Sequence, residues 1–141
     1  MLAEPSMLKP VVALALWTHV IFVWMYATRL PAMRAMKIKS DPTAPRGTQM
    51  AALPARVRWK ADNFNHLFEQ PTVFYAVALV LAMIDTTGGA NVTLAWIYVG
   101  LRVVHSLVQT VVGHVELRFV VFTLSAVTLV VMTINAARLL W

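Results

Sequence analysis

Four apolar stretches, separated by segments rich in proline, glycine or charge, organise this chain. They run from Val11 to Thr28, from Leu67 to Ile84, from about Asn91 to Val112, and from Phe119 to about Trp141. An α-helix needs about 20 apolar residues to cross the roughly 30 Å hydrocarbon core of a bilayer. The pattern therefore predicts an all-α fold, a single integral-membrane four-helix bundle over residues 1–141. Its spans are expected at about 11–29, 67–84, 92–112 and 119–140.

The polar residues that interrupt these stretches carry most of the information. The third stretch holds Arg102, His105 and Gln109, whose offsets of 0, +3 and +7 fall on one helical face. Leu94, Ile97, Leu101, Val104, Val108 and Val111 cover much of the remaining surface. An arginine facing lipid costs several kcal/mol, so this face is expected to look into the bundle or into a wet cavity. Two readings stay open: a ligand site, or an interhelical salt bridge that only holds the bundle together.

The approach to the second span is amphipathic. Asp62, Asn65 and Glu69 share a face, and Arg58 lies one turn before Asp62. Pro71 cannot donate to the carbonyl of Leu67, which predicts a kink beside Glu69. An acid and a kink together at the bilayer boundary mark a cavity. The turn Asp85 to Asn91, DTTGGAN, makes the second and third helices antiparallel, and they are expected to pack side by side. Glu69 is then the acid able to neutralise Arg102, with Asn65 and His105 as further hydrogen-bonding groups. Orphaning one partner of such a buried pair costs about 3–5 kcal/mol.

In the first span His19 needs a polar partner, for which a helix–helix hydrogen bond is the simpler reading and haem ligation with His105 the other. Pro31, Pro42, Pro45, Gly47 and Pro54 make residues 31–55 a loop with room for a short surface helix. Gly113 to Arg118 forms a short turn containing His114, Glu116 and Arg118. Arg118, with Arg58 and Arg29 or Arg34, is expected to rim the mouth of the bundle at the end carrying the basic loop.

Composition sharpens this picture. The 141 residues are 60% hydrophobic and 13% charged, too apolar for a soluble domain of this length. There is no cysteine, which excludes disulfides, thiolate catalysis and zinc–thiolate sites, and no metal centre is expected. The net charge of +6 does not point to nucleic acid, because eight of the twelve basic residues lie between Arg29 and Lys60, opposed there only by Asp41. Such clustering beside a span is the positive-inside signal. It predicts that the basic loop, 30–60, is cytoplasmic and both termini non-cytoplasmic, in the inner or plasma membrane of a bacterium. Phosphate-binding loops, His-Glu-x-x-His and Gly-x-Ser-x-Gly elements are all lacking.

Two motifs carry a resemblance. Asn65-His66-Leu67-Phe68-Glu69-Gln70-Pro71, followed by Phe74, and Arg102-Val103-Val104-His105, preceded by Gly100 and followed later by Arg118, look like the helix-2 and helix-3 signatures of the MAPEG family. These are membrane-associated proteins in eicosanoid and glutathione metabolism, and the resemblance covers essentially the whole chain. It implies a homotrimer in the lipid bilayer with glutathione as co-substrate, bound between neighbouring subunits. It also implies a transferase or peroxidase acting on lipophilic electrophiles or hydroperoxides. Arg118 would match the arginine that stabilises the glutathione thiolate. Asn65, Glu69 and Arg102, with Arg58, His105 and Gln109, would belong to the glutathione-binding site.

The chain departs from the family pattern at two points. Asn65 and Glu69 are four residues apart where many members have three, and Gln109 stands where several members carry a tyrosine. These departures motivate the alternative, a non-catalytic accessory subunit of a larger membrane assembly.

Overall fold

A computed structural model of the chain describes residues 5–86 and 89–141, and every regular element among them is helical. The elements are α1 (Pro5–Ala35), α2 (Thr48–Ala51), α3 (Ala55–His66), α4 (Gln70–Ile84), α5 (Gly89–Leu107) and α6 (Val115–Leu140). Four stretches, Pro5–Ala35, Ala55–Ile84, Gly89–Val112 and Val115–Leu140, are long and apolar enough to cross a membrane. Their number and order follow the apolar pattern. Thr87 and Gly88, in the middle of the expected Asp85–Asn91 turn, lie outside the described residues.

Helix α1 is 31 residues long and runs past both ends of the 11–29 segment. Pro31 removes one hydrogen bond near its end without ending it, since packing elsewhere along the helix holds the backbone in place. Its buried residues, Met7, Pro10, Leu14, Thr18, Ile21 and Met25, recur at spacings of three and four. That is the seam of a helix packed into a bundle. Helices take both ends of the expected 30–60 loop, α1 up to Ala35 and α3 from Ala55; between them lies only the single turn α2, and Leu53 anchors this segment by burial.

The expected kink in the second span is a full break. Helix α3 stops at His66, Glu69 adopts a ψ of −99°, far from helical values, and α4 restarts with Pro71 in its first turn. A proline there loses nothing, because the first N–H groups of a helix have no intrahelical acceptor.

Helix α5 does not end cleanly. Val108–Val112 form a π-helical turn that stops at Gly113, whose φ of 73° is left-handed. A side chain on Gly113 would place its Cβ 2.8 Å from Cη2 of Trp59, so close approach as well as backbone conformation calls for glycine. Helix α6 begins at Val115, and the expected Gly113–Arg118 turn shrinks to Gly113 and His114. Arg118 therefore stands on a helix.

The bundle order meets one expectation only in part: the second and third spans pack together where α3 lies on the π turn, but not along α4 and α5. Helix α1 packs against α3, α4 and α5, and α6 packs against α4 and α5. Helices α4 and α5 are not side by side; they occupy opposite corners. They meet through large side chains in the centre, where the ring of Phe74 stacks on Tyr98 at 4.4 Å. Two stacked rings fill the width that direct backbone contact would have closed. At the far end, Asn91 donates to Asp85 at 2.7 Å and Asn135 donates to Asn91 at 2.8 Å, tying α5 to α6. Outside, large apolar side chains face away from the protein: Leu16, Val23, Met83 and Phe119 are each more than 60% exposed. Such a surface is solvated by lipid rather than water.

Candidate functional site

The polar face of α5 is buried, as the spacing of Arg102, His105 and Gln109 requires. All three are under 5% exposed. Arg102 donates through Nη2 to the carbonyl of His66 at 3.0 Å, while its Nε and Nη1 have no protein partner. The guanidinium lies 5.9 Å from the ring centre of Tyr98 and 5.7 Å from that of Phe122, within cation–π range.

The expected Glu69–Arg102 pair does not form. The Glu69 side chain is 62% exposed, and its carboxylate contacts Nδ1 of His66 at 2.7 Å. The helix break is the cause. Interrupting the chain at residues 67–69 turns Glu69 outward and brings the carbonyl of His66, at the C-terminal end of α3, within reach of Arg102, which shares it with the Glu69 N–H at 3.3 Å. That end carries the negative pole of the helix dipole, and Arg102 caps it. A main-chain carbonyl has taken the place assigned to a carboxylate.

Further buried polar atoms without partners lie on the stretch that follows Arg102 and on α3. Asn63 Oδ1 and Nδ2, Ser106 Oγ and Gln109 Oε1 are all buried and unbonded within the protein. Ser106 and Gln109 follow Arg102 by four and seven residues, and Asn63 belongs to α3, which packs on the π turn. Asn63, His66 and Ser106 were missed by the sequence reading. Ser106 was within reach of it, since +4 from Arg102 lies on the same face.

The remaining site residues separate into two hollows. One, of about 340 Å³, lies between the end of α1, the short α2 and α3, and its polar walls are Arg29, Arg58, Asp62 and Asn65. The other, of about 210 Å³, is lined by His66, His105, Val115, Arg118, Phe119 and Phe122. Arg58 and Asn65 thus line one hollow, and His105 and Arg118 the other. Arg102 and Gln109 are buried, and Glu69 belongs to the lining of neither. Of the alternatives Arg29 and Arg34, it is Arg29 that joins Arg58.

The second hollow has the more varied chemistry. Its imidazoles, His66 and His105, stand edge to face at 6.2 Å, and Phe122 touches both His105 and the Arg102 guanidinium. A guanidinium, two imidazoles and an apolar wall can hold an anion beside a lipophilic molecule. His19 takes no part: it is exposed on α1 and bonds to the carbonyl of Ala15 in its own helix at 2.8 Å, whereas His105 is buried. Among the described residues no group of three metal-ligating side chains gathers.

The model of the MAPEG family matches residues 7–138 of the chain. No curated protein and no solved structure matches it.

Proposed function

The chain belongs to the MAPEG family, and from that premise we propose that it is a membrane-bound, glutathione-dependent transferase or peroxidase acting on lipophilic electrophiles or hydroperoxides. The observation that carries this reading is Arg102. A guanidinium 1% exposed, with two donors unpartnered and no carboxylate bonded to it, is a site short of an anion. Glutathione has two carboxylates and an ionisable thiol, and seated in the smaller hollow, whose wall residue Phe122 lies 5.7 Å from the guanidinium, it would bring the missing charge close to Arg102.

Arg118 is half-buried on the wall of the smaller hollow, and its charge favours the thiolate over the thiol of a ligand seated there. The thiolate is the nucleophile in both reactions. In the transferase reaction sulfur forms a bond to an electrophilic carbon, and the displaced electron pair leaves with the departing group or moves into the acceptor. Phe119 and Phe122 offer the apolar side from which such a partner approaches out of the bilayer. Arg58 and Asn65, in the larger hollow, are suited to the peptide end of a glutathione molecule.

A homotrimer fits the same surface. Asp62 and Asn65 are exposed on α3 beside the larger hollow, and Glu69 is exposed in the break that follows, so a polar surface lies open along this side of the protein. A neighbouring subunit would cover that face and complete the site.

Two observations favour the second reading, a non-catalytic accessory subunit of a membrane assembly. Gln109 is buried and, being an amide, has no hydroxyl to offer a ligand, and Glu69 is exposed and bonded to His66 rather than Arg102.

Thermal unfolding of the detergent-purified protein with and without millimolar glutathione separates the two. Ligand at about 100 times its dissociation constant stabilises by roughly 2.7 kcal/mol. A raised midpoint, together with turnover lost in Arg118→Ala while the oligomer persists, supports the enzyme. No shift supports the accessory subunit.

A further inference from the structure

Helix α1 ends in an unusual way. The N–H of Ile38 bonds to the carbonyl of Met33 at 3.1 Å, and that of Lys37 to the carbonyl of Arg34 at 3.1 Å. This pair of bonds is the Schellman closure, which places its C′ residue in the left-handed region and takes glycine there by preference. Here the C′ residue is Lys37, with φ 52°, the one non-glycine among the described residues at positive φ. A lysine in this conformation is less favourable than glycine, so something other than chain reversal keeps a charge at that point.

The surroundings indicate what the charge is for. Leu30, Met33, Arg34, Lys37, Ile38 and Lys39 line a hollow of about 390 Å³. Three of these residues are cationic, three are apolar and none is acidic. Among the described residues Arg34, Lys37 and Lys39 have no carboxylate partner. Gln49 donates to the carbonyl of Lys39 at 2.6 Å and holds that strand of the loop beside the hollow. The depth is also appropriate. At 1.5 Å per residue a 31-residue helix rises about 46 Å, well beyond the hydrocarbon core, which carries its last turns into the headgroup layer.

We propose that this hollow at the end of α1 is a binding site for an anionic phospholipid. Arg34, Lys37 and Lys39 engage the headgroup phosphate, and Leu30, Met33 and Ile38 lie against the upper acyl chain. The α1 carbonyls nearest the phosphate are already bonded by the Lys37 and Ile38 N–H groups, which limits repulsion from the negative pole of the helix. The site is separate from both hollows described above and does not depend on whether glutathione binds.

The test is lipid retention by the purified full chain in bilayer discs of phosphatidylcholine with and without phosphatidylglycerol, read by native mass spectrometry. Inorganic phosphate is added in a parallel arm. Phosphatidylglycerol should be retained in preference to phosphatidylcholine, with a preference that falls as salt is raised. Each cation near an anionic lipid surface contributes about fivefold. Lys37→Gly should lower the preference about fivefold while leaving the thermal midpoint in phosphatidylcholine unchanged or higher, because glycine relieves the strained φ. Arg34→Gln with Lys39→Gln should lower it about 25-fold. Equal retention of the two lipids, an unchanged preference in Lys37→Gly, or a lowered midpoint in that variant would each overturn the proposal. So would displacement of phosphatidylglycerol by millimolar inorganic phosphate, which would make the site one for free phosphate.

Discussion

Arg102 and His66, 36 positions apart in the chain, are joined by a 3.0 Å hydrogen bond from the guanidinium to a main-chain carbonyl. The bond sets the buried charge of α5 against the end of α3, and it leaves two of the guanidinium donors open. An arginine held this way is stabilised enough to stay buried and is not neutralised.

Replacing it with an apolar residue of similar length separates structure from binding. Arg102→Met removes a poorly compensated buried charge and also one donor to His66, effects of opposite sign that are each worth about 1–3 kcal/mol. The unfolding free energy is expected to stay within about 2 kcal/mol of wild type, while stabilisation by glutathione disappears. Denaturation of both proteins with and without glutathione measures this. A loss above about 3 kcal/mol with ligand binding intact would make Arg102 a structural cap only.

Glu69 is expected to matter little to folding. Its partner is the imidazole of His66 at 2.7 Å, and both side chains are well exposed, at 39% for His66 and 62% for Glu69. Exposed pairs contribute about 0–1 kcal/mol. Glu69→Gln should therefore destabilise by less than about 1 kcal/mol, where a buried pair with Arg102 would have cost about 3–5 kcal/mol. Equilibrium unfolding in denaturant distinguishes these values.

Gly113 should tolerate no side chain. Alanine there takes on both an unfavourable left-handed φ and a collision with Trp59. Together these destabilise by about 2–4 kcal/mol. Trp59→Leu in the Gly113→Ala background should recover the steric share and leave the backbone share, which a double-mutant cycle resolves.

The basic loop contains one local pH sensor. Hydrogen bonds from the Thr43 hydroxyl at 2.7 Å and its N–H at 2.9 Å hold the Asp41 carboxyl below its ordinary value of 3.8. A lowered folded-state pKa contributes stability above the unfolded value, and that contribution fades as pH falls through the folded one. The Thr43 amide resonance should therefore titrate with a midpoint below 3.8 and lose its titration in Asp41→Asn. A midpoint at or above 3.8 would mean that this turn does not persist in solution.

The sequence by itself determined the membrane class, the number and order of the spans, and the buried face of α5. Each of these follows from the kind of residue present and its spacing. Apolar length decides what can cross a bilayer, and a period of 3.6 decides which side chains share a face. Even the interruption at Pro71 could be placed, because a proline without an N–H acts on residues close to it in the chain.

Only the tertiary structure decided the partners. Glu69 and Arg102 have the right charges to pair, yet the break at Leu67-Phe68-Glu69 rotates one of them outward and offers a carbonyl instead. Helices α4 and α5 are consecutive, yet they stand on opposite corners and meet through the stacked rings of Phe74 and Tyr98. The motif residues Arg58 and Asn65 part from His105 and Arg118 for the same reason. Local spacing sets which way a side chain points on its own helix, whereas what it meets depends on rotations and separations that all the helices settle together.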